Sequence, residues 1–250
     1  MARYALRPLG DCALTLTFPA LTGTAGALQM AALADRIQAE TEANRLPGLT
    51  DLIPAFNALT LCFDPSVQDG DSLGKALDRL ITTAPKAQTA KARQWRLPAC
   101  YDPSVAPDLV ETAERLGLSQ EQLVAGHSAA LYDVPLIGFL PGFPFLSGTP
   151  QALHLPRRAT PRTQVPAGSV AIANDQTAIY PWESPGGWHL IARCPVPLFN
   201  VSRPAPSLLA VGDQLRFDPI SVADLESLQD RLKTGALAAE QFLVQGEAAA

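Results

Sequence analysis

The sequence predicts an α+β protein in two parts, a small α/β sandwich followed by a β barrel, and three observations carry that expectation. Residues 1–83 hold two strand-like runs and a helical run, then the same order again. Residues 84–91 are polar and without apolar periodicity. Beyond Leu131, short apolar runs alternate with Pro and Gly turns and helical spacing vanishes until Ser221. The expected domains are therefore 1–83, a linker at 84–91, a barrel over 92–220, and a C-terminal helix and tail over 221–250.

Arg3 to Arg7 and Ala13 to Phe18 alternate like strands around Pro8-Leu9-Gly10-Asp11, a run that favours a turn. From Thr24 to Glu42, Leu28, Ala32, Leu33 and Ile37 recur near helical spacing, and Pro47-Gly48 stops the run. Strands follow at Leu49 to Ile53 and Leu59 to Phe63, separated near Pro54. Asp71 or Ser72 then caps a helix that carries Leu73, Leu77, Leu80 and Ile81 on one face.

In the second part, Gln94 to Tyr101 has strand character and Asp108 to Leu116 is helical before Gly117. Ser119-Gln120-Glu121-Gln122 has the spacing of a capping box and starts a helix towards His127. Short strands are expected at 131–139, 168–173, 177–180, 188–193, 197–201 and 214–217, with a turn at Val211-Gly212-Asp213. Leu225, Leu228 and Leu232 share one side of a last helix, and the terminal GEAAA is expected to fray.

Composition narrows function. The 250 residues are 47% hydrophobic, enough for a full core, and the net charge of −5 disfavours a nucleic-acid binder. Four scattered cysteines form no CxxC pair, so reduced thiols are expected rather than zinc or disulfides. No apolar run approaches the ~20 residues of a membrane span, and the amino terminus has no signal-like core, which predicts a cytoplasmic protein. Charge is uneven. Between Gly138 and Arg203 stand five arginines (157, 158, 162, 193 and 203), two acids (Asp175 and Glu183) and no lysine. Such a surface suits bidentate contact with carboxylate or phosphate.

The runs GFLPGFPFL, PRRATPR, VPAGSVAIA, QTAIYP and SPGGWHLI, with a GD turn before RF, resemble the B-subunit family of prokaryotic 5-oxoprolinase. That family is related to allophanate-hydrolase subunit 1 and includes the KipI kinase-inhibitor proteins. GDCAL, LPACYD and GLSQEQLVAGHSAALYDV extend the similarity, with Ala192 where the family usually has glycine and Cys194 where it has threonine. The resemblance implies a cyclophilin-like barrel behind a smaller α/β domain. It also implies one component of an ATP-dependent enzyme that opens 5-oxo-L-proline to L-glutamate, using ATP with Mg2+ at a site shared with a C-subunit homologue, beside an A-subunit homologue, and inactive alone. The rival readings are a KipI-type inhibitor of a sensor histidine kinase and a urea- or allophanate-type carboxyltransferase component.

His127 and Arg162 are the catalytic candidates. Phe139, Gly142, Phe143, Arg157, Arg158, Ser169, Gln176, Ser184, Gly186, Gly187 and Arg193 are the candidates for contact with substrate or nucleotide. Alternatives stand beside each group. Any single arginine can serve a salt bridge, His127 can cap a helix end, the phenylalanines can be core, and the glycines at 186 and 187 can form a tight barrel connection rather than an anion nest. His154 and His189 lack metal-ligand spacing. Gly70 to Lys75 is too short for a P-loop, and Ala76 stands where it requires Ser or Thr.

Overall fold

Alternating apolar residues at the N-terminus form the first sheet. A computed structural model describes residues 3–21, 23–82 and 92–244 and divides the chain into two units, Met1–Lys91 and Ala92–Ala250. In the first, β1 (Ala5–Pro8) and β2 (Ala13–Thr17) form a hairpin, followed by α1 (Gly23–Glu42), β3 (Leu49–Ala55), β4 (Ala58–Phe63) and α2 (Gly70–Thr82). The sheet is antiparallel in the order β1-β2-β4-β3. Period-two alternation sends Leu59, Leu61 and Phe63 of β4 into a core with Met30, Leu33 and Ile37 of α1 and Leu73, Leu77 and Ile81 of α2. On the opposite face the hydroxyls of Thr15 and Thr60 pair at 3.0 Å.

Two local expectations are corrected here. β3 does not stop near Pro54 but continues through it to Ala55. As an edge strand it loses no ladder bond to a proline there, and the chain turns instead at Phe56, with φ 45°. The α2 cap is Asp69, whose Oδ1 accepts the Ser72 amide at 2.8 Å, rather than Asp71 or Ser72. The expected linker at 84–91 lies outside the described residues, as does GEAAA.

The second unit begins with β5 (Gln94–Cys100), α3 (Leu109–Leu116), α4 (Gln120–Ala129), β6 (Tyr132–Ile137) and β7 (Pro144–Ser147). It continues with β8 (Arg162–Val165), β9 (Ser169–Ala173), β10 (Gln176–Ile179), β11 (Ser184–Gly186), β12 (His189–Arg193), β13 (Gln214–Ile220), α5 (Val222–Lys233) and β14 (Leu243–Val244). Seven strands run in the order β12-β9-β10-β7-β6-β13-β5. The pairing of Arg193 with Cys100 joins β12 to β5 and closes the barrel. β13 lies parallel to β5 over seven pairs, from Gln214–Gln94 to Ile220–Cys100, and β14 adds antiparallel at Trp95 and Gln94. β8 and β11 form a separate two-stranded ribbon.

Leu97, Val134, Leu146, Val170, Ile172, Ile179, Ile191, Leu215 and Phe217 fill the barrel together with Leu109 and Leu123 from the helices. The capping box at Ser119 is formed, with the hydroxyl accepting from the Gln122 amide and the Gln122 side chain from the Ser119 amide. Gly117 ends α3 at φ 67°. The strand expected at 197–201 is absent. Phe199 makes only an isolated bridge with Ser207, because Pro197, Pro204 and Pro206 interrupt any ladder. Among the described residues no helix is long and apolar enough to cross a membrane.

The turn expected before the last strand is pinned by Asp213, which is 3% exposed. Its carboxylate accepts from Arg93 Nε at 2.8 Å and Nη2 at 2.6 Å, from Trp95 Nε1 at 2.9 Å and from the Ala210 amide at 2.9 Å. Arg93 is exposed and can turn to water, but removing the carboxylate strands the buried Trp95 Nε1–H and the Ala210 amide. Asp213→Ala should cost about 1–3 kcal/mol of stability, read as a lower urea midpoint with an unchanged m-value. A change within the error of the midpoint would rule out this anchoring role.

Candidate functional site

The outer face of the barrel is built from small residues. Along β9, Val170 and Ile172 point into the barrel core, while Ala171 and Ala173 join Ala178 and Leu190 in a second cluster on the outside. Alanines there leave room for aromatic rings to lie on the sheet. Phe143 centres that layer, with ring centroids 4.9 Å from Phe145, 5.0 Å from Tyr180 and 5.4 Å from Phe139, and Phe145 lies 6.0 Å from Trp188. Val165 of the β8/β11 ribbon belongs to the same cluster.

The β6–β7 loop holds the edge of this cluster. The Gly138 amide donates to Phe143 O and the Phe143 amide to Leu140 O, both at 3.0 Å. Gly142 has φ 75° and runs so close to Phe199 that a Cβ would sit 2.8 Å from the Phe199 Cβ, so this glycine is set by backbone approach. Phe139 adopts φ 71°, a conformation rare for a bulky residue, and is 66% exposed. Of these three phenylalanines, Phe143 is buried, Phe145 half-buried and Phe139 outward.

The arginine group divides. The Arg157 guanidinium lies 5.8 Å over the Trp188 ring, and among the described residues it has no acid at ion-pair distance. Burial pushes the Tyr180 hydroxyl up to about 12, with the Arg157 charge pulling the other way, so cation and phenol share one environment. Arg158 and Arg162 instead turn to Asp108, 2% exposed. Arg158 Nη1 reaches Oδ1 at 3.0 Å, and Arg162 grips both oxygens at 2.6 and 2.8 Å. The Leu190 amide completes the set at 2.7 Å on Oδ2. Of the three arginines, Arg157 thus has no acid at ion-pair distance among the described residues, while Arg158 and Arg162 are held by Asp108, with Glu111 3.8 Å from Arg158 as a second acid. Asp108 gives no sign of a site residue in the sequence because it precedes α3 like a cap, yet its side chain makes no cap bond.

His127 is sealed inside the barrel at 0% exposure. Tyr101 Oη lies 2.7 Å from Nδ1, Thr177 Oγ1 lies 3.2 Å from Nε2, and the ring stacks on Phe217 at 4.9 Å. Burial pushes its pKa down to about 3. Both nitrogens are occupied and the ring stays neutral near pH 7, so it does not meet the cleft.

The other candidates separate as well. Gly186 is part of β11, where a Cβ would lie 2.4 Å from the Tyr180 hydroxyl, and the Gly187 carbonyl accepts the Arg158 amide. That is the connection reading of this glycine pair. Ser184 lies in β11 opposite Val165. Gln176 starts β10, at the end of that strand away from Tyr180. Ser169 and Arg193 face each other across β9 and β12.

A groove of about 470 Å3 lies elsewhere, lined by Cys100, Tyr101, Asp102, Glu121, Pro219 and Ser221 among others. Hydrogen bonds from Ser104 hold the Asp102 carboxyl below the usual range, backbone hydrogen bonding does the same for Glu121, and burial raises the Cys100 thiol. A groove with two carboxylates and an inert thiol suits an anionic ligand poorly, so the surface where Arg157 lies over the aromatic cluster is the better candidate. Among the described residues no group of three or more His, Cys, Asp or Glu is placed to hold a metal ion.

The family described as carboxyltransferase domain, subdomain C and D, matches residues 4–209. The 5-oxoprolinase B subunit of Bacillus subtilis (strain 168) is 33% identical over 238 residues, 91% of this chain and 98% of that protein. The 5-oxoprolinase B subunit of Escherichia coli O157:H7 is 40% identical over 177 residues, 70% and 79% respectively. Among solved structures, TTHA0988 matches with a TM-score of 0.70 and 38% identity. The match covers 87% of this chain but only 40% of that one, so this chain spans about two fifths of its length. Kluyveromyces lactis urea carboxylase matches with a TM-score of 0.70 over 91% of this chain and 23% of that one, at 18% identity, a likeness of fold alone.

His127 gives a pH signature. Its folded pKa is depressed below the unfolded value near 6.5, so the unfolded chain takes up a proton that the folded chain refuses. The stabilisation is complete above about pH 6.5 and drains away as pH falls towards 3, at up to about 1.4 kcal/mol per pH unit. Urea unfolding between these pH values should show that slope, flattened in His127→Gln. Equal slopes in both proteins would contradict the buried neutral imidazole.

Proposed function

This chain belongs to the carboxyltransferase subdomain C and D family, and on that footing we propose that it is the B subunit of an ATP-dependent 5-oxoprolinase. The observation that carries the reading is Arg157, which has no acid at ion-pair distance among the described residues and lies over Trp188 at the edge of the aromatic cluster. The relatives that bear the name of the 5-oxoprolinase B subunit support a role as one component of such an enzyme, and that name supplies the lactam substrate.

The cleft suits such a ligand in part. Arg157 attracts an oxyanion, Tyr180 offers a neutral hydroxyl as a donor, and Phe143, Phe145 and Trp188 exclude water from one side of a flat ring. ATP with Mg2+ supplies the activation that a resonance-stabilised lactam needs before water can attack it. Among the described residues, those around Arg157 fit an oxyanion but offer no carboxylate set for Mg2+, since Asp108 is taken up by Arg158 and Arg162. In this reading the metal ligands and the remaining catalytic groups come from a C-subunit homologue, with an A-subunit homologue in the assembly. His127 and Arg162 then act on the frame of the barrel rather than on the reacting atoms.

A partner has a surface to meet. Trp182, 45% exposed, donates to Pro141 O and packs 6.0 Å from Phe199, while Val201, 79% exposed, and Phe139 stand on neighbouring loops. The same patch favours, as the second reading, docking of a sensor kinase.

Co-expression with the A- and C-subunit homologues should give glutamate release from 5-oxoproline, and Arg157→Ala should lower kcat/KM about 10- to 100-fold with an unchanged melting temperature. The shared site fails as an idea if the isolated chain matches the assembled rate. Trp182→Ala should weaken association with the C-subunit homologue by about 2 kcal/mol, measured by calorimetry. Unaltered association, with tight binding instead to a kinase dimerisation domain, would favour the second reading.

A further inference from the structure

Ser169 and Arg193 are direct neighbours across β9 and β12, both on the outer face of the barrel, and each keeps a buried polar atom with no partner. Those atoms are Ser169 Oγ and Arg193 Nε. Ser169 is fully buried, whereas Arg193 is half-buried with one end at the surface.

The local backbone sets the guanidinium. Its stem crosses Gly168, where a Cβ would fall 3.1 Å from Arg193 Cδ and 2.4 Å from Cys194 O. Nη1 donates to the Ala167 carbonyl at 3.2 Å, which fixes the roll of the planar group. The edge formed by Nε–H and Nη2–H is left free. No acid lies at ion-pair distance from Arg193 among the described residues, and burial alone depresses its pKa. Buried donors without partners are rare in native folds and point to a ligand or water that satisfies them.

We propose that Ser169 and Arg193 form a carboxylate subsite. The two oxygens of a planar carboxylate accept from Nε–H and Nη2–H as a side-on fork, and the Ser169 hydroxyl donates to one of them. The next outward residues along the two strands, Ala171 and Leu190, are buried and apolar, so nothing there receives the extra oxygens of a phosphate. The subsite adjoins the aromatic cleft, because the Tyr180 amide donates to Ser169 O at 2.9 Å and the Tyr180 carbonyl accepts the Gly168 amide at 2.7 Å. Resting on the proposed function, the carboxylate is that of 5-oxo-L-proline, held so that its ring extends towards Tyr180.

The test follows the Arg193 Nε–Hε resonance of the 15N-labelled full chain, assigned by its loss in Arg193→Lys. Acetate and 5-oxo-L-proline should each shift it to saturation, while 2-pyrrolidinone, the same lactam without a carboxylate, should not. Arg193→Lys should bind either acid about tenfold more weakly or worse at an unchanged melting temperature, as measured by calorimetry. Failure of both acids to move the resonance, or a response to inorganic phosphate alone, overturns the subsite. A response to acetate but not to 5-oxo-L-proline keeps the subsite and sinks the lactam reading.

Discussion

The outer architecture of the barrel unit depends on one carboxylate. Asp108 is almost fully withdrawn from water, and its two oxygens receive two guanidiniums and the Leu190 amide. Through it the start of α3 is tied to the segment leading into β8 and to the middle of β12. A buried carboxylate is tolerated only with this degree of satisfaction, and removing it would leave Arg162 without an acid and Arg158 with Glu111 alone, at 3.8 Å. The clamp also decides which arginine is available. With Arg158 and Arg162 held, Arg157 is the one of the three left to project over Trp188.

The two faces of β9 explain why the aromatic cluster sits outside the barrel rather than in it. Branched side chains and a neutral histidine fill the inside, and the chain Tyr101–His127–Thr177–Thr149 satisfies the polar atoms there at 2.7, 3.2 and 3.1 Å. A filled interior of this kind gives shape and stability but admits no substrate. Outside, alanine at 171, 173 and 178 creates a shallow bed for Phe143, Tyr180 and Trp188. The same choice of small residues that exposes the sheet to aromatic rings also lets the β8/β11 ribbon lie close, as Gly186 does against the Tyr180 hydroxyl.

Much of this is legible in the residues because the signals are local. The hairpin from Ala5, the helices around Ile37 and Leu77, the Ser119 capping box and the Gly212 turn all depend on neighbours a few positions apart. What escapes is non-local or very short. Asp108 meets Arg158 and Arg162 across 50 and 54 positions, and no pattern in either segment announces the other. The strands β7, β8 and β11 have four, four and three residues, carry proline or sit beside it, and so read as rigid loop. The opposite error arises at 197–201, where an apolar run between prolines looks like a strand but has no continuous partner. His127 stands on the helix that its capping box predicts. Its spacing cannot tell a core imidazole from a reactive one, because that depends on Phe217 and Thr177 arriving from far along the chain.

The surface beside the cleft bears on how complete the site is in one chain. Phe139 holds a left-handed backbone and leaves most of its ring in water, and Trp182 and Val201 add apolar area on adjoining loops. Strain at a bulky residue costs on the order of 1–3 kcal/mol, and exposing its ring forgoes the burial that would offset it. Isolated apolar residues on a surface need no special cause, but three on neighbouring loops, one of them strained, make a patch of the kind that protein partners cover. That patch borders a cleft with one free cation and, among the described residues, no acid set of its own. A second chain seated there would bury Phe139 and Trp182 and bring new side chains to within reach of Arg157, so the force that holds the assembly together and the groups that complete the chemistry would come from the same contact.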